Sequence, residues 1–273
     1  MKKAIVVVSF GTTYKETRER TIEACEKKMR EGLEDYDFFR SFTSNRIIKV
    51  LRDREKIHIE TPIEVLDRLH IEGYKEVIVQ TLHIIPGEEF NKLKREVQGY
   101  SDKFEKIILG RPLLTYKEDY DEVIKAIKCK IPKKKDNEAV VFMAHGTKGK
   151  SSLVYTKLEA MLRKSGINAY IGTIQEDKKL EQIIKRLKYN DICTVNLIPF
   201  MLVAGYHVIN DMIGEHENSW KYIFESYGFE VKAYLEGLGE NPNIQEKFMK
   251  HTYDCINNKT TKVGWGIVTS KGD

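Results

Sequence analysis

Cysteine is scarce in this chain. The four present, Cys25, Cys129, Cys193 and Cys255, form no Cys-x-x-Cys pair. That excludes a zinc knuckle and a disulfide framework and points to a reducing, cytoplasmic setting. Long apolar runs are missing too. The N-terminal MKKAIVVVSFGTT breaks at Gly11, before it reaches the length of a signal-peptide core, and no small-residue cleavage site follows. No segment approaches the ~20 apolar residues of a membrane span, so no membrane partner is expected. Nor is there a strong charge of either sign. Lys+Arg 46 against Asp+Glu 41 leaves +5, too little for a dedicated nucleic-acid binder but compatible with an anionic small molecule.

What is present is a core-forming pattern. The 273 residues are 41% hydrophobic, which excludes wholesale disorder and suits one or two α/β domains. Apolar, β-branched runs alternate with charged helical stretches. Strands are expected at Ala4–Phe10, Asp37–Phe42, Glu76–Thr81 and Lys106–Leu109, then again at Ala139–Met143, Ala169–Thr173, Ile192–Leu197 and Val231–Leu235. Helices are expected at Lys15–Glu31, with Gly32 as the stop, and from Thr61-Pro62 through Leu69, where a threonine cap precedes a proline at the first helical position. Buried strands separated by helices predict parallel sheets.

The series restarts half-way. Val7–Thr12 (VVSFGT) lines up with Phe142–Thr147 (FMAHGT), and Ile85–Glu89 (IPGEE) with Val203–His207 (VAGYH). Matched glycine turns in matched order predict an α/β fold of two similar lobes related by duplication. Each lobe is expected to be a four-stranded parallel sheet flanked by helices. The lysine-rich stretch 130–137 is read as the linker, giving lobes 1–132 and 138–273. Open parallel sheets bind ligands outside the carboxyl ends of their strands, so the two lobes are expected to present these turns to one cleft. There Phe10 stands where the second half has His145, and Glu89 where it has His207.

His145 and His207 each have two readings, a structural histidine or a group offered to a ligand. Two histidines in equivalent turns favour the second, because neutral imidazole binds first-row divalent metals and exchanges protons near neutrality. Glu89 could add a carboxylate or simply favour a helix N-terminus. His83 is a further candidate, whereas His58, His70, His216 and His251 are read as surface residues. Residues 144–151 (AHGTKGKS) satisfy a relaxed phosphate-loop pattern. The first-half turn lacks the Gly-Lys, and no strand ends in an aspartate suited to Mg²⁺, so nucleotide binding is disfavoured.

Several segments together resemble the anaerobic-pathway cobalt chelatases, a class II chelatase family. They are Ser9–Thr12, Phe42–Ser44, Ala144–Thr147, Gly205–His207, the run Asn210-Asp211-Met212…Ser219-Trp220-Lys221, and Gly237–Pro242. The resemblance extends in order over nearly the whole chain. It implies two α/β lobes around a tetrapyrrole cleft and ATP-independent insertion of Co²⁺ into sirohydrochlorin, with release of two protons, in cobalamin synthesis. It further implies His145 and His207 as metal ligands, with Gln175 at the third ligand position, and His145 as acceptor of a pyrrole proton. Glu89 is read as a second catalytic group on the repeat alone. Phe10, either a ring-face contact or a core phenylalanine, is read with Thr12 and Ser44 as binding the macrocycle. Gln175 stands where the family has a glutamate, so the third ligand is an uncharged amide that Glu89 or Glu176 could supplement. Arg46, Arg54, Lys148 and Lys150 are candidates for the substrate carboxylates. Fe²⁺ or Ni²⁺ in place of Co²⁺, a siroheme-forming iron chelatase, a non-catalytic tetrapyrrole or haem carrier, and a homo-oligomer are the alternatives left open.

Overall fold

The computed structural model describes residues 1–133, 136–146, 153–175, 177–257 and 269–270. It divides the chain into two units, one made of residues 1–115 with 242–273, the other of residues 116–241.

In the first unit, β1 (Lys3–Ser9), β2 (Asp37–Phe42), β3 (Glu76–Thr81) and β4 (Lys106–Leu109) form a parallel sheet in the order β2-β1-β3-β4. In the second, β5 (Glu138–Ala144), β6 (Ala169–Thr173), β7 (Thr194–Pro199) and β8 (Glu230–Ala233) form a parallel sheet in the order β6-β5-β7-β8. The two orders are the same topology written twice. A two-residue strand, β9 (Thr269–Ser270), adds an antiparallel edge beside β4. Strands β3, β5 and β6 are buried at every residue. Helices cover both faces of such a sheet, which is why these strands read as continuous apolar runs and not as alternating ones.

The helices follow their sequence signals. Helix Pro62–Ile71 starts on a capping box in which Thr61 Oγ1 accepts from the Glu64 backbone N–H and the Glu64 carboxylate accepts from the Thr61 N–H. The first helix runs Lys15–Arg18, passes through a π turn at Glu19–Glu23, and continues as Ala24–Gly32. No helix among the described residues is long and apolar enough to cross a membrane.

The expected division at 130–137 differs from the observed one. Helix Lys117–Lys128 belongs to the second unit, where Lys157 from helix Leu153–Lys164 lies over the Tyr120 ring, 4.2 Å from its centroid. Helix Pro242–Ile256 returns to the first unit. There Cys255 packs with Ile78 and Ile108, Asp254 pairs with Arg111 at 2.7 Å, and Tyr253 donates to the Gly32 carbonyl. A lysine-rich stretch marks exposure, whereas burial of an amphipathic face decides which sheet a helix joins. His251, expected at the surface, is fully buried on this helix, with Nδ1 3.3 Å from the Arg111 carbonyl.

Candidate functional site

The site is built at the carboxyl end of the second sheet. Ala144, the last residue of β5, pairs with Thr173, the last residue of β6. The chain then turns through His145 and Gly146, and Gly146 has φ +88°. A side chain there would be strained by its backbone and would bring a Cβ to 2.8 Å from the Thr173 Cβ. Glycine therefore lets the turn leave the sheet edge with His145 exposed. The first unit repeats the device. Ser9 pairs with Phe42, Phe10 is 48% exposed, and Gly11 has φ +90° with its missing Cβ aimed at the Phe42 ring.

The ladder registers extend this match residue by residue. Thr43 N–H donates to the Ser9 carbonyl as Ile174 N–H donates to that of Ala144. Leu82 N–H donates to Val8 as Phe200 N–H donates to Met143. Counting on without a gap from these pairs sets Phe10 opposite His145, Ser44 opposite Gln175 and Glu89 opposite His207 in the two repeats. The second unit thus carries a basic or amide side chain at three positions where the first carries a phenyl, a hydroxyl and a carboxylate.

Within the second unit the two histidines meet. Their ring centroids are 5.0 Å apart with planes at 71°. The Tyr206 ring stands edge-on to His207 at 5.6 Å. His207 Nδ1 lies 2.6 Å from Asp211 Oδ2, and His145 Nδ1 lies 3.2 Å from the Gly146 carbonyl. Gln175 is exposed in the turn directly after β6, at the same end of the sheet as His145. Among the described residues, no group of three or more His, Cys, Asp or Glu side chains is placed to hold a metal ion. Among the described residues, this end of the sheet presents the His145–His207 pair, with Gln175 exposed in the turn after β6.

The other expected site residues are placed as follows. Glu89 is partly buried in the first turn of helix Glu88–Gln98, in the first unit. Thr12 is buried, and its hydroxyl accepts from the Tyr14 N–H. Ser44 caps helix Asn45–Val50 by accepting from the Ile47 N–H. Both hydroxyls thus have local structural work. Arg46 and Arg54 are exposed. Thr147, Lys148, Lys150, Ser151 and Glu176 lie outside the described residues, and with them most of the phosphate-loop-like stretch.

His83 follows β3 and has a different character. Its Nδ1 meets the Thr81 hydroxyl, and its buried Nε2 has no hydrogen-bond partner among the described residues. Burial lowers its pKa from 6.5 to about 4. Between those values the unfolded chain binds a proton that the native chain refuses, so stability falls as pH drops through this window and levels off below it. His83→Gln should flatten that part of the acid limb, by an amount on the order of 2 kcal/mol. Melting temperature measured against pH checks this; a variant curve parallel to that of the wild type between pH ~4 and ~6.5 refutes it.

Two supports of the site were not legible as such. The Asp211 carboxylate under His207 was present only as part of a sequence run, although its i, i+4 spacing was the available signal. Trp220, in the same run, presses on β6, and a Cβ on Gly172 would stand 2.6 Å from its ring.

A family model described as cobalt chelatase (CbiK) matches residues 3–257. The chain belongs to the cobalt chelatase (CbiK) family. It is 40% identical over 257 residues to the sirohydrochlorin cobaltochelatase of Salmonella typhimurium, covering 94% of this chain and 97% of that one. It is 30% identical over 253 residues to the sirohydrochlorin cobaltochelatase CbiKC of Nitratidesulfovibrio vulgaris, covering 92% and 89%. Among solved structures, SirB from Bacillus subtilis with Fe³⁺ shares the fold at TM-score 0.65 and 13% identity, over 97% of this chain and all of that one. The cobalt chelatase family therefore accounts for both sheets and for the segment that carries the paired histidines.

Proposed function

We propose that this protein is a sirohydrochlorin cobaltochelatase, inserting Co²⁺ into the tetrapyrrole as two pyrrole protons leave. The observation that carries the reading is the 5.0 Å approach of the His145 and His207 rings, in a chain that the cobalt chelatase family spans from residue 3 to residue 257.

Insertion has three chemical demands. The ion must lose its water shell, the pyrrole N–H protons must go to a base, and the macrocycle must be held so that its nitrogens face the ion. His145 and His207 meet the first by replacing water with imidazole nitrogen, a ligand suited to Co²⁺ without the permanence of a thiolate. Gln175 adds a neutral amide oxygen. His145, exposed at the strand end, also takes a pyrrole proton, and Glu89 is the second acid–base group. Phe10 offers an exposed aryl face to the macrocycle. The substrate's carboxylates suit a chain with a net +5 charge, and no nucleotide is needed. All four cysteines are free, which fits a cytoplasmic enzyme.

The test is insertion by the purified protein, followed by the change in the sirohydrochlorin absorption spectrum, with Co²⁺, Fe²⁺ and Ni²⁺ compared in parallel and without ATP. Turnover with Co²⁺ above the non-enzymatic rate is expected. Binding of the macrocycle with no acceleration for any metal would make the protein a carrier and overturn the reading.

A further inference from the structure

We propose that Asp211 is a positioning residue for metal capture, holding the imidazole of His207 so that Nε2 is the nitrogen offered to the ion. This rests on the reading of His207 as a metal ligand. A carboxylate only accepts hydrogen bonds, so at 2.6 Å from Asp211 Oδ2 the His207 Nδ1 carries the proton. The lone pair of the neutral ring is then on Nε2, which has no hydrogen-bond partner among the described residues. Carboxylates orient metal-binding histidines in this way and raise their donor strength.

The local backbone is built to hold the contact. Val208–Met212 is a helical turn of the π type, and the i, i+4 spacing sets the fourth residue after His207 against the ring. Val208 and Met212 anchor that turn in the core. Asn210 Nδ2 donates to the Tyr206 carbonyl at 2.8 Å. The Asn210 carbonyl in turn accepts from Gly214 N–H at 3.1 Å and lies 3.0 Å from His216 Nε2. Each bond fixes a residue next to Asp211 or His207 in the chain.

Stability does not account for the pair. The His207 and Asp211 side chains are 39% and 33% exposed, a setting in which ion pairs contribute little to folding. The repeat sharpens the contrast. In the first unit the position of His207 is held by Glu89, and the fourth residue after it is Leu93, fully buried. The carboxylate occurs in the repeat that has the imidazole.

The experiment is Co²⁺ titration of the protein without tetrapyrrole, followed by the visible absorption of the bound ion, on Asp211→Ala, Asp211→Asn, His207→Ala and the double variant His207→Ala/Asp211→Ala. Circular dichroism and melting temperature report folding. Asp211→Ala should weaken Co²⁺ binding about 10–100-fold. Asp211→Asn should lose less, because its amide oxygen still accepts from Nδ1–H. In the His207→Ala background the Asp211 substitution should add nothing, since its effect runs through the ring. Additive losses, or a folded Asp211→Ala with wild-type affinity, overturn the proposal. If His207→Ala itself leaves affinity unchanged, the ligand reading fails and takes this one with it. If only Asp211→Ala is silent, the ligand reading stands and the positioning role falls.

Discussion

Replacing His145 by alanine is expected to slow cobalt insertion by about 10²–10⁴-fold while leaving the fold intact. Both halves of that expectation come from where the residue sits. β5 is buried at all seven residues and ends at Ala144, so the strand is held by its ladder and core contacts and not by the next side chain. His145 is exposed, so truncating it opens no cavity and removes no core contact. The turn is set by Gly146 at φ +88°, which the substitution does not touch. On the function proposed above, what is lost is the nitrogen that serves as ligand and proton acceptor, with its neighbour His207 left alone. Single-turnover insertion with Co²⁺ saturating should show the slow chemistry directly, and circular dichroism should show the unchanged fold. A folded His145→Ala protein with near wild-type turnover would remove His145 from the reaction.

Much of the fold was written in the strands. The expected strands Asp37–Phe42, Glu76–Thr81, Lys106–Leu109 and Ala169–Thr173 coincide with β2, β3, β4 and β6. Buried parallel strands announce themselves because both faces must be apolar, and the glycine turns after β1 and β5 gave away the duplication. The assignment of terminal helices was not written so plainly. Helix Pro242–Ile256 carries an apolar stripe that would suit either sheet, and only tertiary packing on Ile78 and Ile108 settles that it joins the first. His251 departs from the surface expectation for the same reason. A charged neighbourhood along the chain says little about which face of a helix a residue occupies, and this one faces the core.

The site divides along a similar line. The pairing of His145 with His207 was legible because each occupies the equivalent turn of a repeat, and the observed registers reproduce that alignment through to Ser44 and Gln175. The roles of Thr12 and Ser44 were less so, since hydroxyls near a strand end serve turns and helix caps as readily as ligands. Here Ser44 caps a helix and Thr12 braces a turn. The Asp211 contact spans an i, i+4 step across a π turn. Such turns leave no composition signal, so an i, i+4 His–Asp pair reads from sequence as one more surface pair.

The third ligand position gives the sharpest test of the donor set. With His207 a ligand as proposed, His207→Ala should weaken Co²⁺ binding by at least the ~100-fold that loss of an orienting partner can reach, because a coordinating nitrogen itself is then replaced by water. Gln175→Glu should act in the opposite direction. Gln175 is exposed in the turn after β6, so a carboxylate there has little burial to overcome before it meets the ion. An anionic oxygen replaces a neutral amide beside a dication, and a gain of roughly tenfold in affinity, ~1.4 kcal/mol, is only a small part of the bare Coulomb attraction at that range. The remainder is offset by stripping water from the carboxylate. Tighter binding should slow the transfer, since an ion held more firmly by the protein leaves it less readily for the macrocycle. Gln175→Glu is therefore expected to raise Co²⁺ affinity and lower kcat together, a coupling that a loss of folding would not produce. Equilibrium Co²⁺ titration of the wild type and both variants, paired with single-turnover insertion, reads both effects. If affinity is unchanged in both variants, neither His207 nor Gln175 is a ligand.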